Sequence, residues 1–233
     1  MIKAQSVLYN CQGLSMHLDF QIKKGEKVSI LGPNGSGKST LLNLISGFYH
    51  PSGGNIFIDG SNHTCTPPSF RPISIIFQGN NLFSHLTVFQ NISLGVSYKL
   101  RLSEEKRKMI DEIIELTELN GCRNKFPTQI SGGQKQLVAL ARCLIRKQPI
   151  MLLDEPFSSI DAISKEKILN ILNQVCCEEK ITLLTVLHDF KDATRVSDRF
   201  IVLKKGFVVY DGSVAQENHL LWKHLDPFRQ RIF

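Results

Sequence analysis

An α/β fold is predicted, with an antiparallel β layer leading into a parallel-sheet core and a helical lobe inserted into that core. Three observations carry this expectation. Lys27-Val28-Ser29-Ile30-Leu31 reads as a short buried strand, is followed by a glycine-rich run, Gly32 to Thr40, and continues as a helix through Leu41-Leu42-Asn43-Leu44-Ile45. The unbroken apolar run Ile150-Met151-Leu152-Leu153 ends in Asp154-Glu155-Pro156, the pattern of a strand covered on both faces. Between about Leu82 and Lys147 strand-like alternation gives way to helical spacing. Residues 83–147 are therefore expected as a helical subdomain, and residues 1–82 and 148–233 as the α/β core with its β layer.

Taken in order, Val7-Leu8-Tyr9 and His17-Leu18-Asp19-Phe20-Gln21-Ile22 alternate as antiparallel strands do, with Lys24-Gly25-Glu26 as a turn. Beyond the glycine run and its helix, Pro51-Ser52-Gly53-Gly54 marks a turn, and Asn55-Ile56-Phe57-Ile58-Asp59-Gly60 a strand and turn. Thr66-Pro67-Pro68-Ser69 breaks the chain before the strand Ile73-Ser74-Ile75-Ile76-Phe77, which ends in Gln78. Ser103-Glu104-Glu105 starts a helix with a capping hydroxyl and acidic residues at its positive end. Met109, Ile113, Leu116 and Leu119 are its expected apolar face, and Gly121 its stop. A second helix begins at Ser131, which with Gln134 forms a capping box, and continues through Val138, Ala141, Leu144 and Ile145. Ile181 to Leu187 is a core strand ending in His188-Asp189, and Phe200–Leu203 with Phe207–Gly212 a hairpin. The remainder, with Trp222 and Phe228, is too short for another domain.

The chemistry-bearing residues fall at the ends of these elements. Gly32-Pro33-Asn34-Gly35-Ser36-Gly37-Lys38-Ser39-Thr40 matches the phosphate-binding pattern G-x-x-x-x-G-K-[ST] in its required strand–loop–helix setting. Glycines without side chains let backbone N–H groups converge, and the helix aims its own free N–H groups at the same point. Lys38 is expected to reach the β- and γ-phosphates, and Ser39 to ligate Mg²⁺. Two adjacent carboxylates closing a core strand are costly unless a cation and a reacting water use them, so Asp154 is expected to hold Mg²⁺ and Glu155 to polarise the water. Alone, such residues are often only helix caps. His188 falls at the same sheet edge, where it is either structural or in contact with the γ-phosphate. Gly132 and Gly133 weaken the start of their helix by up to about 1 kcal/mol each relative to alanine, yet leave it bare enough for an anion. Tyr9 is either a core residue or a stacking platform for a nucleobase.

Composition bounds the remaining possibilities. At 42% hydrophobic and 21% charged residues, the 233-residue chain has ordinary globular composition and enough length for a substantial core. No apolar run approaches the roughly 18 residues that cross a bilayer, and the start Met1-Ile2-Lys3-Ala4-Gln5-Ser6 has no apolar signal region, so a cytoplasmic location is expected. Cys11, Cys65, Cys122, Cys143, Cys176 and Cys177 form no C-x-x-C pair or regular framework, which argues for reduced thiols over zinc or disulfides. The net charge of +7 suits nucleic acid or an anionic membrane, but without a long basic run no nucleic-acid partner is expected.

With these residues placed, the chain resembles the ATP-binding cassette of ABC transporters over nearly its whole length. The matching elements are aromatic Tyr9, the loop 32–40, Gln78 of the Q-loop, Ser131-Gly132-Gly133-Gln134 of the signature, Asp154-Glu155, Ser158-Ser159-Ile160-Asp161 as a D-loop, and switch His188. The resemblance implies a P-loop NTPase (RecA-like) core and a head-to-tail homodimer holding two ATP molecules, each between one chain's phosphate loop and the other's signature helix. It further implies Mg²⁺ with Ser39, Asp154 and Gln78 around it, and a catalytic set of Glu155, His188 and Gln78. Tyr9, the loop, the signature residues and Asp161 would bind nucleotide, and Gln78 would pass motion to two transmembrane permease subunits. A periplasmic substrate-binding protein and the cytoplasmic face of the bacterial inner membrane are implied as well.

Within that family, Thr66 to Ser69, Arg71-Pro72, Phe77-Gln78, Asn80 to Val88, Gln90-Asn91-Ile92 and Ala141 to Leu144 are similar to the ATPase subunits of bacterial thiamine importers. Two positions depart from the family pattern: Leu137 stands where arginine is usual, and Ser159-Ile160 where Ala-Leu is. The regulatory C-terminal domain of some importer ATPases is not expected here. Two alternatives stay open: a cassette ATPase serving another small-molecule importer, and one working on DNA or the ribosome. The latter relatives carry a long coiled coil or two cassettes, whereas here only about 120 residues without sustained heptads separate Gly32 from Asp154.

Overall fold

The structure, a computed structural model, describes residues 1–213 apart from Gln12, Asn80, Leu100 and Ser159. Trp222 and Phe228 of the expected C-terminal remainder, Asn80 of the importer-like stretch and Ser159 of the D-loop lie outside the described residues.

The chain opens with strands β1 (Ile2–Cys11) and β2 (Leu14–Ile22), paired antiparallel and both longer than the alternation predicted. The register of β1 shifts between Ala4 and Val7, where Ser6 takes φ 46° and its N–H is held by Asp19 at 3.0 Å. Strand β3 (Lys27–Leu31) leads into helix α1 (Lys38–Ser46), after which β4 (Gly53–Ile58) and the short β5 (Ser61–Asn62) return to the β layer. Strand β6 (Ile73–Ile76) precedes three helices: α2 (Val88–Ser93), α3 (Glu104–Leu116) and α4 (Gly132–Leu144). The chain continues through β7 (Ile150–Asp154), α5 (Ala162–Glu178), β8 (Thr182–Val186), α6 (Phe190–Val196), β9 (Arg199–Lys204) and β10 (Phe207–Ser213).

All ten strands join one sheet in the order β5-β4-β1-β2-β10-β9-β3-β8-β7-β6. From β9 to β6 every pair is parallel, while β5, β4, β1 and β2 pair antiparallel, so the two expected kinds of sheet are one continuous surface. The join is narrow. Strand β10 pairs with β9 antiparallel and meets β2 at Phe207↔His17, while Gly206 donates to Ser36 O and accepts from His17 N, both at 3.1 Å. A Cβ at Gly206 would lie 1.9 Å from Ser15 O, so only glycine lets the strands close there.

Core residues alternate between the two sheet faces. Val28, Ile30, Ile150, Leu152, Leu184, Val186, Ile201 and Leu203 pack with Leu41, Leu42, Leu44 and Ile45 of α1 and with the β layer. Leu31, Met151, Leu153, Leu183, Phe200 and Val202 pack on the opposite side with residues of α2 to α6. Burial on both faces is why these strands read as continuous apolar runs.

Two expectations need correction. Helix α3 buries Ile110 and Ile114, with Met109, Ile113 and Leu116 flanking them rather than forming the centre of the face. It also ends at Leu116, before the expected Gly121: Thr117 Oγ1 bonds back to Ile113 O at 2.7 Å, and Glu118 turns to φ 52°. Leu119 is buried from the following turn, and Gly121 falls in a 3-10 turn, Asn120–Cys122. Helix α5, 17 residues long, and helices α2 and α6 were not anticipated from the sequence.

Candidate functional site

The glycine run closes tightly against the sheet edge. Gly32 adopts φ 147° and a Cβ there would come within 2.2 Å of Leu203 O, while Gly37, the residue before α1, adopts φ 101° with Met16 Cε 2.7 Å from where a Cβ would lie. A larger residue at Gly32 would force the loop off its strand, whereas at Gly37 the Met16 side chain could move aside and it is the positive φ that calls for glycine. No side chain caps the start of α1 and no acidic residue lies in its first turn, so its N–H groups stay available. Lys38 is 6% exposed, and its ammonium donates to Gly32 O at 2.8 Å and Pro33 O at 3.1 Å. Burial lowers the Lys38 pKa, against which the Glu155 and Asp154 carboxylates raise it.

Around this loop the strand ends deliver the remaining groups. Strand β7 delivers Asp154, 6% exposed, whose pKa is raised by burial and lowered by its bond from the Ser39 hydroxyl. Its Oδ1 has no partner, nor has the buried Ser36 Oγ. An orphaned carboxylate oxygen beside a threonine- or serine-type hydroxyl is the donor set Mg²⁺ takes from a protein that leaves its other positions to phosphate and water. Fewer than three carboxylate, histidine or cysteine ligands gather anywhere among the described residues, so a protein-only metal cage is not the arrangement. Glu155 follows at φ 51°, an uncommon angle for a side chain of its kind, with its N–H on Val186 O at 3.1 Å. Its two carboxylate oxygens are both engaged: Oε1 shares a hydrogen bond with His188 Nε2, and Oε2 accepts from Gln78 Nε2 at 3.3 Å. The ends of β6, β7 and β8 thus meet at one carboxylate.

Together these groups line a cleft of about 420 Å³, bounded by Leu14, Asn34, Gly35, Gly37, Lys38, Ser39, Thr40, Gln78, Glu155 and His188. Leu14, the first residue of β2, lies ahead of the stretch whose alternation the sequence shows, His17 to Ile22, and carried no signal of its own. Ser158, the first residue of the expected D-loop, donates its hydroxyl to Glu155 O at 3.0 Å and tightens the turn after the carboxylate.

Other expected site residues lie elsewhere. Ser131, Gly132, Gly133, Gln134, Asp161 and Tyr9 do not line the cleft. At the start of α4 the capping box forms as expected, with Gln134 N donating to Ser131 Oγ at 3.2 Å and Ser131 N to Gln134 Oε1 at 3.0 Å. Gly133 has a reason the sequence did not reveal: a Cβ there would lie 2.1 Å from Ser164 Oγ, so glycine lets α4 approach α5. Asp161 caps α5, accepting from Ser164 N at 2.9 Å and Ser164 Oγ at 2.7 Å, and these bonds lower its pKa. Tyr9 stacks on Tyr49, the ring centroids 5.6 Å apart and the planes 7° from parallel. Leu137, at the position where the resemblance leads one to expect arginine, is 4% exposed within the helical core, and Ile160 is half-buried against the same cluster.

Known proteins resemble this chain in sequence and in fold. The chain is similar to the thiamine import ATP-binding protein ThiQ of Photorhabdus laumondii subsp. laumondii, 48% identical over 212 residues that cover 91% of this chain and 90% of that protein. ThiQ of Shigella boydii serotype 4 is 45% identical over 216 residues, 93% of each chain. Among solved structures, the ATP-binding cassette MJ0796, in a dimeric post-hydrolysis state bound to ADP and Pi, superposes with a TM-score of 0.81 at 34% identity, covering 92% of this chain and 99% of that one. The cbiO1 subunit of Clostridium perfringens, part of the ABC transporter complex cbiONQ, gives 0.82 at 30% identity over 99% and 96%. The family model described as ABC transporter matches residues 15–158, from β2 through the phosphate loop and signature helix to the turn after Glu155. By its sequence, its fold and the groups its strand ends bring together, the chain belongs to the ABC transporter family.

Proposed function

We propose that this chain is the ATP-hydrolysing subunit of an importer, working as a head-to-tail pair that closes over two ATP molecules and drives uptake of thiamine and its phosphates. Its partners in this reading are two transmembrane permease subunits, supplied by a periplasmic substrate-binding protein. Its place is peripheral, at the cytoplasmic face of the bacterial inner membrane; no described helix is long and apolar enough to cross a membrane. The single observation that carries the reading is the meeting of Lys38, Ser39, Gln78, Glu155 and His188 around one cleft, with Asp154 behind Ser39. Thiamine is supported by the relatives named for thiamine import at 45% and 48% identity over nine-tenths of the chain.

Each residue then has a defined task. Lys38 exchanges its bonds to the loop carbonyls for phosphate oxygens, and the open N–H groups of α1 bind the rest of the polyphosphate. Ser39 and Asp154, with Gln78, would hold Mg²⁺, which would neutralise charge that develops on the terminal phosphate. Glu155 takes the proton from the attacking water, while His188 and Gln78 hold its carboxylate in orientation. Tyr9 offers a ring face to the nucleobase. Ser131 to Gln134, and Asp161, complete the site on a second copy, which accounts for their distance from the cleft of their own chain.

General-base assistance is worth about 10² to 10⁴ in rate, so Glu155→Gln is expected to lower phosphate release by that factor and to leave the chain dimeric in ATP, as measured by light scattering. Undiminished turnover in the variant contradicts the role of Glu155. Uptake of labelled thiamine in cells whose only copy carries Lys38→Ala is expected to fall to background. Retained uptake, or loss of uptake of a different solute only, removes thiamine from the reading.

A further inference from the structure

Two ion pairs join α5 to α6, and they differ in burial. Lys165 Nζ donates to both carboxylate oxygens of Asp192, at 3.1 and 2.8 Å, with the side chains 27% and 12% exposed. Arg195 grips Glu166 through two bonds of 2.6 Å, but those side chains are 45% and 52% exposed. A shielded pair holds its geometry against salt and solvent; an exposed one contributes little.

The shielded pair lies between groups already described. Lys165 follows Ser164, whose hydroxyl and N–H are both held by Asp161 and whose side chain occupies the space beside Gly133 of α4. Asp192 is in the first turn of α6, the helix capped by Asp189, the residue after His188. His188 in turn is bonded to Glu155. The starts of α4, α5 and α6 therefore form one run of contacts from Gly133 to the hydrolytic carboxylate, and the Lys165–Asp192 ion pair is the link in it that joins α5 to α6.

We propose that Lys165, through its ion pair with Asp192, is a positioning residue for His188 and Glu155, tying the state of the helix start at Ser131–Gln134 to the hydrolytic arrangement of the same chain. The inference rests on the function proposed above, because it takes that helix start to be loaded by a nucleotide held on a second copy. Loading presses α4 against the first turn of α5 through Ser164, and the Lys165–Asp192 pair carries the displacement to α6. Without the lysine, Asp192 loses its direct ion-pair partner and keeps only the more distant attraction of Arg195, one turn along α6, so the first turn of α6 shifts toward water. A displacement of about 1 Å at a catalytic group can cost roughly a hundredfold in rate.

The test compares ATP hydrolysis and nucleotide affinity in the full chain. Lys165→Met and Asp192→Asn are each expected to lower kcat about tenfold or more while KM and nucleotide Kd stay within about twofold. Glu166→Gln is expected to leave kcat within about twofold, and the exchanged pair Lys165→Asp with Asp192→Lys to recover most of the lost rate. Wild-type kcat in Lys165→Met, an equal loss in Glu166→Gln, or a folded but inactive exchanged pair overturns the proposal. So does failure of all three Lys165 and Asp192 variants to fold, which makes the pair scaffold. A wild-type chain that releases no phosphate at all refutes the proposed function instead.

Discussion

At the scale of single residues, the site places costly groups where chemistry needs them. Asp154 sits where burial disfavours the charge of a carboxylate, with Oδ1 lacking any partner. Removing that charge is expected to help the fold and harm the activity. Asp154→Asn should raise the Tm of the nucleotide-free chain by about 2–4 °C, the shift that roughly 1 kcal/mol produces in a domain of this size. The same variant should lose the stabilisation that Mg²⁺ and nucleotide together give the wild type, about 2.7 kcal/mol at a hundred times Kd. Calorimetric scans with and without the ligands check both effects. The cysteines offer an independent check on burial. Cys143 and Cys176 have their pKa values pushed up to about 12 and about 11 by burial, and Cys122 is raised for the same reason. Cys11, Cys65 and Cys177 are exposed. A thiol reagent at neutral pH is therefore expected to modify those three in the native chain and the other three only after unfolding. The phosphate loop, Asp154, Glu155 and His188 were legible in the sequence because each is fixed by its place at the end of a strand with strong apolar patterning. Leu14 was not, since nothing in its local sequence separates it from an ordinary strand residue.

At the scale of elements, Gly133 shows why a correct residue can be assigned an incomplete reason. Two glycines in a helix start suggested an opening for an anion, yet Gly133 is buried against Ser164 and sets the distance between α4 and α5. Gly133→Ala is expected to cost about 1–3 kcal/mol, because the added carbon overpacks the contact, and Ser164→Gly in the same chain should recover most of it. Urea denaturation of the single and double variants measures this. Helix α5 was invisible to sequence reasoning for a related cause. It runs Ala162–Glu178 with Ile168, Leu169, Ile171, Leu172 and Cys176 buried, but its first turn is Ala-Ile-Ser-Lys and its cap, Asp161, was read only as part of a binding loop. The apolar face of α3 was misplaced by one position because Met109, Ile113 and Leu116 flank the buried Ile110 and Ile114 closely enough to look like the stripe itself.

At the scale of the whole molecule, two separately buried faces of one sheet give the chain its architecture, and alternation along β3, β7, β8 and β9 assigns each residue to a face. That much the apolar runs foretold; the way the β layer joins the sheet they did not, because its backbone pairing to the core is one parallel pair, Phe207↔His17, with two bonds at Gly206, while the side chains of the layer pack into the core cluster beneath α1. Gly206 carries no side chain, so its tolerance for change is set by Ser15 O rather than by any pocket of its own. Gly206→Ala, strained at φ 83° as well as crowded, is expected to lower nucleotide affinity at least as strongly as it lowers Tm, since it disturbs the bond to Ser36 O inside the phosphate loop. Nucleotide titration beside a thermal scan separates the two. The backbone seam thus runs directly beside the phosphate loop, and a change in how β2 meets β10 is passed through Gly206 to the carbonyl of Ser36.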